Sequence, residues 1–180
     1  MTENADIKQH ESDIANFFCA ELANAAKDQG WTRDSQWTDW IHKRMAEIGH
    51  RFGFLVFASQ SRCPTADGPE WLYDHHWRVP GANTPFVSIP LVMEIEWGSG
   101  VSTIFEKITE DFMKLVQARG GFRVMVFQCN DVVAFTDKLI SMADAFEGSQ
   151  RGDRWLFVGW DWATHQIHCK SWVPNLLQQS

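Results

Sequence analysis

The run Pro90–Gly98, PLVMEIEWG, restricts this chain more than any other stretch, because its strict alternation suits one regular conformation. As a β-strand it places Leu91, Met93, Ile95 and Trp97 on one face, and Val92, Glu94 and Glu96 on the other. The two carboxylates then sit one pleat period apart, roughly 7 Å between Cα atoms. Like charges so placed repel, and a strand otherwise made of Leu, Val, Met, Ile and Trp is expected to be largely buried. A cation, a basic side chain, a proton or contact with water must offset that cost. A bound metal ion is the most informative of these, since paired carboxylates are hard oxygen ligands suited to magnesium.

The length of 180 residues fits a single domain with a sizeable core. Ten Trp and thirteen Phe make that core bulky. A formal net charge of −7 argues against broad affinity for nucleic acid through bulk electrostatics, though a local basic groove is compatible with it. The polar opening MTENADIKQHES has no apolar centre of the signal-peptide kind, and no run approaches a membrane span, so a cytoplasmic location is expected. Cys19, Cys63, Cys129 and Cys169 are scattered without a C-x-x-C pair and are read as reduced thiols.

Periodicity gives the order of elements. A helix capped by Ser12 runs to about Gln29, with Gly30 as its stop, and a second runs from about Ser35 to His50. Phe54–Ser59 is a short strand. Gln60–Pro69 carries the turn signals Pro64 and Asp67-Gly68 and is expected to close a hairpin to a strand over Trp71–Val79. Val87–Trp97 is the third strand. A helix over Thr103–Arg119 follows, with capping-box spacing at Thr103 and Glu106, then an apolar strand over Phe122–Gln128 and a helix from Asn130 or Asp131 to about Phe146. Trp155–Trp162 is a further strand, and Ile167–Trp172 returns beside it. The first three strands are expected to be antiparallel, and the helix after the third to cross over to a parallel neighbour. The fold class is α/β, a mixed α+β sandwich in one domain.

In EWLYDHHW, Asp74 shares a face with Leu72 and His76, whereas Trp71, Tyr73, His75 and Trp77 take the other. Asp is depleted from strands. If the second and third strands pair, Asp74 lies opposite Glu94 and Glu96. Three converging carboxylates bind one or two divalent cations and can activate water for phosphodiester hydrolysis.

A helix, a three-stranded meander, a helix and a strand, with Asp74 in the second strand and Glu94-x-Glu96 in the third, resemble the PD-(D/E)xK nuclease superfamily of restriction-endonuclease-like fold. The resemblance covers residues 35–127, with 1–30 as an N-terminal helical extension and 128–180 as an added C-terminal helix and strands. It implies a magnesium- or manganese-dependent endonuclease acting on DNA, in which Asp74 and Glu94 are metal ligands. It maps a further acidic ligand onto Glu47 and makes a homodimer or a partner subunit plausible. Tyr73 stands where the family motif has Pro. Glu96 stands where it has Lys, so Glu96 becomes a metal ligand or a base that orients water. Alternatively, the Lys role passes to the following helix, where Lys107 and Lys114 share a face with Asp111 between them.

Each residue also has a plainer reading. Glu94 and Glu96 can face water, and Asp74 can bond a neighbouring Arg or His. Glu47 stands four residues before Arg51, the spacing of a surface ion pair. Lys107, Asp111 and Lys114 can be a solvated helix face. His75 and His76 point to opposite faces, so at most His76 joins the carboxylates. The competing function is a catalytically inactive binding or interaction protein on the same fold, possibly a subunit of a larger complex. The chain has no G-x-S-x-G, P-loop or G-x-G-x-x-G motif.

Overall fold

The computed structural model describes residues 3–98, 104–149 and 152–174. They form five α-helices, one π-helical turn and six strands in a mixed α/β arrangement. The chain divides into two compact units, Met1–Ile89 and Pro90–Ser180. No helix among the described residues is long and apolar enough to cross a membrane.

The first unit holds α1 (Glu3–Asn16), the π turn Phe17–Glu21, α2 (Leu22–Gln29), α3 (Asp34–Arg51), β1 (Leu55–Ala58) and β2 (His75–Val79). The first helix starts well before Ser12, which lies inside it and is not its cap. The π turn falls at Phe17 and Phe18, both fully buried. An extra residue in a turn is the usual way a helix re-aims adjacent side chains. Gly30 ends α2 in the left-handed region at φ +61°. Ile41, Met45 and Ile48 form the buried stripe of α3. Gly49 lets that helix approach β1 and β2, since a Cβ there would lie 2.8 Å from the Trp77 ring and 2.9 Å from Val56.

β1 and β2 are antiparallel, pairing Val56 with Trp77 and Phe57 with His76. The connection between them is more than a hairpin turn. Asp67 accepts a hydrogen bond from the Val56 N–H and contacts the His50 ring at 2.9 Å. Gly68 bridges to Phe57, and Cys63 is buried against the His42 carbonyl. β2 begins only at His75. Leu72 adopts φ +67°, which breaks the alternation expected from Trp71 onward and leaves Asp74 in the bend before the strand.

The second unit holds β3 (Ser88–Glu96), which enters it at Pro90, α4 (Ile104–Gln117), β4 (Phe122–Cys129), α5 (Val132–Asp144), β5 (Arg154–Asp161) and β6 (Gln166–Trp172). β3 and β4 are parallel, as are β4 and β5, and β6 returns antiparallel to β5. Every residue of β4 is buried, as its apolar run predicts for a strand covered on both faces. Phe112 of α4 packs against Trp155 and Phe157 of β5. Thr103 lies outside the described residues, so the capping box falls there too. Asp131 caps α5 by accepting from the Ala134 N–H. All four cysteines are free thiols.

Candidate functional site

Glu94 lies two residues before the end of β3 and is only 1% exposed. Its register partner Met125 belongs to the sheet face that also carries Arg123 and Phe127, the face packed by α4 and α5. The expected alternation therefore holds, and it aims Glu94 at a helix. The apolar periodicity of α4 buries Ile108, Phe112 and Leu115, which turns Lys114 and Asp111 toward the edge of that contact. Lys114 Nζ lies 3.3 Å from Glu94 Oε2 and 2.6 Å from Asp111 Oδ1. A basic side chain is thus one of the groups offsetting the buried carboxylate. Burial opposes the ammonium charge of Lys114, but the Asp111 hydrogen bond and the Glu94 charge outweigh it and hold the amine well above its ordinary range. Lys114 is therefore a cation at any physiological pH.

Glu96 ends β3 and is half-buried. The chain beyond it is pinned by Gln128, which donates to the Gly98 carbonyl and accepts from the Trp162 indole N–H at 2.9 Å. Glu96 and Gln128 mark the carboxyl ends of the parallel strands β3 and β4. That is the end of an open α/β sheet where ligands bind.

Lys107 is exposed on α4. Glu47 is exposed on α3 and pairs at 2.9 Å with Arg44, which also holds Glu21. The Glu47–Arg51 pair expected from spacing is replaced by this one, because Arg51 reaches Asp13 on α1. Asp74 is half-buried in the first unit. Among the described residues, no group of three or more His, Cys, Asp or Glu side chains is close enough to hold a metal ion.

Comparison with models of known protein families, with curated proteins and with solved structures finds no match.

His75 and His76 do point to opposite faces, and both are fully buried. His75 Nε2 accepts from the Trp77 indole N–H, which places the His75 proton on Nδ1. That Nδ1 faces His42 Nδ1 at 3.2 Å, so His42 accepts and carries its own proton on Nε2. This chain of bonds requires both rings to be neutral. Burial, aided by the Arg62 charge and opposed by Asp39, pushes His42 down to about 4. Burial and the neighbouring His42 push His75 well down, and burial and Arg78 push His76 to about 4. The unfolded chain, with ordinary histidines near 6.5, binds more protons than the folded one below that pH.

Stability is therefore expected to be full above pH 6.5 and to fall as pH drops from 6.5 toward 4. Each ring contributes up to about 1.4 kcal/mol per pH unit. Urea midpoints from pH 7.5 to 4.5 measure this. A His75→Phe variant should show a shallower slope, and a flat wild-type profile would show that the rings are not held neutral.

Sequence reasoning missed two positions that matter to the site. Arg123 is buried in an otherwise apolar strand, and that mismatch was its signal. Gln128 carries the same signal at the strand end, more weakly.

Proposed function

We propose that the chain is a metal-dependent, nuclease-like protein that hydrolyses DNA phosphodiester bonds on a restriction-endonuclease-like core. The observation that carries this reading is the reach of Lys114 from α4 to Glu94 on β3. The third strand has Glu96 at the motif position for Lys, and Lys114 supplies a cation beside the motif carboxylate from the next element. Glu94 and Glu96, both on β3, are the proposed metal ligands.

Carboxylate oxygens alone fit magnesium or manganese by donor type. A bound ion of that kind lowers the pKa of a water and places positive charge at the phosphate. The chain's own residues do the rest. Lys114, kept charged by Asp111, offers its ammonium to the developing charge on a phosphate oxygen. Glu96, at the strand end and half-buried, orients a water by accepting its hydrogen bond.

A second reading is a binding protein without catalysis. It is favoured by the lack of a three-carboxylate group among the described residues and by the way Lys114 already offsets Glu94. Metal binding separates the two. With manganese at a hundred times its dissociation constant, the nuclease reading expects stabilisation of about 3 kcal/mol, seen as a rise in Tm of several degrees that Glu94→Ala abolishes. An unchanged Tm in wild type would favour the second reading.

A further inference from the structure

Among the described residues, Arg78 on β2 is a cation with no acidic partner within ion-pair distance. Among the described residues, Arg44, Arg51, Arg62 and Arg123 each reach a carboxylate, in a chain of net charge −7, and Arg33 and Arg119, which like Arg78 reach none, are exposed, whereas Arg78 is half-buried. Among the described residues, Arg78 donates to His76 Nε2, at 3.0 Å. That ring is neutral, so the bond leaves the guanidinium charge uncompensated. The guanidinium carbon lies 3.7 Å from the centre of the Phe57 ring, 4.8 Å from Phe86 and 5.8 Å from Trp71. These rings hold the half-buried guanidinium in place through cation–π contact. They lend it no counter-charge, and burial lowers its pKa.

The ring on the outside of this group is itself open. Trp71 is 56% exposed and the adjoining Leu72 64%. Leu72 sits at φ +67°, a region that a branched side chain such as Leu seldom adopts. The chain thus accepts strain and exposes two large apolar side chains beside an uncompensated cation. Strain of this kind gathers at ligand clamps.

Resting on the nuclease reading above, we propose that Arg78, Trp71 and Leu72 form a platform for a single-stranded segment of the nucleic-acid substrate, with a phosphate on Arg78 and a neighbouring base stacked on Trp71. A nucleotide pairs an anion with an aromatic face, and so matches a cation set beside an open indole. The base must be unstacked to use that face, which selects a single strand over an intact duplex. An acidic peptide would satisfy the cation but leave the indole face unused.

The test is fluorescence anisotropy with a labelled oligo-dT strand, a duplex of equal length and a polyglutamate peptide, in EDTA so that no cleavage occurs. Wild type should bind oligo-dT more tightly than the duplex. Trp71→Ala should weaken oligo-dT binding about fivefold to a hundredfold, the range for loss of one stacked base. Arg78→Lys keeps a charge but loses the planar fork, and should weaken it as well. Trp71 is on the surface, so its variant keeps the fold. Unchanged binding in Trp71→Ala overturns the platform, as does preference for the duplex or the peptide, or no binding at all. Plasmid cleavage that depends on Glu94 alongside any of these results would leave the nuclease reading standing and the platform refuted.

Discussion

Replacing Lys114 by Met is expected to reduce phosphodiester cleavage by about a hundredfold or more, the usual cost of losing one charge stabiliser. The fold is expected to lose about 1–3 kcal/mol, because the change removes a partner from a buried carboxylate. The two effects separate in a double variant. In Glu94→Leu with Lys114→Met, both charges go and apolar groups of similar bulk replace them. Such exchanges are often neutral or stabilising. The double variant should therefore regain most of the stability lost in Lys114→Met yet remain inactive. Urea denaturation beside a cleavage assay checks both halves. If Lys114→Met cleaves DNA at the wild-type rate, the pair is a structural ion pair only.

The second large effect is on the helix that carries Lys114. Arg123 is 4% exposed, and its guanidinium caps the end of α4. Nε donates to the Leu115 carbonyl at 2.9 Å and Nη2 to the Ala118 carbonyl at 2.7 Å, while Nη1 pairs with Asp153 at 2.9 Å. A cation at a helix C-terminus also opposes the partial negative charge gathered there. Arg123→Met is expected to cost about 3–5 kcal/mol, the range for removing one member of a buried ion pair. The loss should appear as a lower urea midpoint. Because Lys114 lies one residue before Leu115, whose carbonyl Arg123 binds, the last turn of α4 should also loosen. Amide exchange in residues 111–117 would then rise. A cost below about 1 kcal/mol would show that water replaces the guanidinium without penalty.

How far the sequence predicts this molecule depends on the range of the interaction. Alternation in β3 and helical spacing in α4 are local, and both were legible. Glu94 and Glu96 were expected on one strand face, and the register with β4 is consistent with it. The parallel step from β3 to β4 followed from the intervening helix. The contact between Lys114 and Glu94 was not legible in the same way. Spacing left Lys107 and Lys114 equivalent, and only the rotation of α4 on the sheet separates them. Arg51 shows the same limit: a partner four residues away on its own helix was expected, and Asp13 on another helix holds it. The bend at Leu72 was unreadable because nothing in Leu favours positive φ, so Asp74 was placed inside a strand that starts after it. The N-terminal helix was begun too late because Ser12 is a good cap by type, and a polar helix preceding it gives no apolar stripe to read.

The central claim is that the carboxylates of β3, with Lys114, form a metal-dependent hydrolytic centre. The most direct measurement is the incubation of supercoiled plasmid with purified protein and manganese, beside the Glu94→Ala and Glu96→Ala variants. Nicking or linearisation by wild type, and by neither variant, is the predicted result. No cleavage by wild type, or equal cleavage by Glu94→Ala, would contradict it.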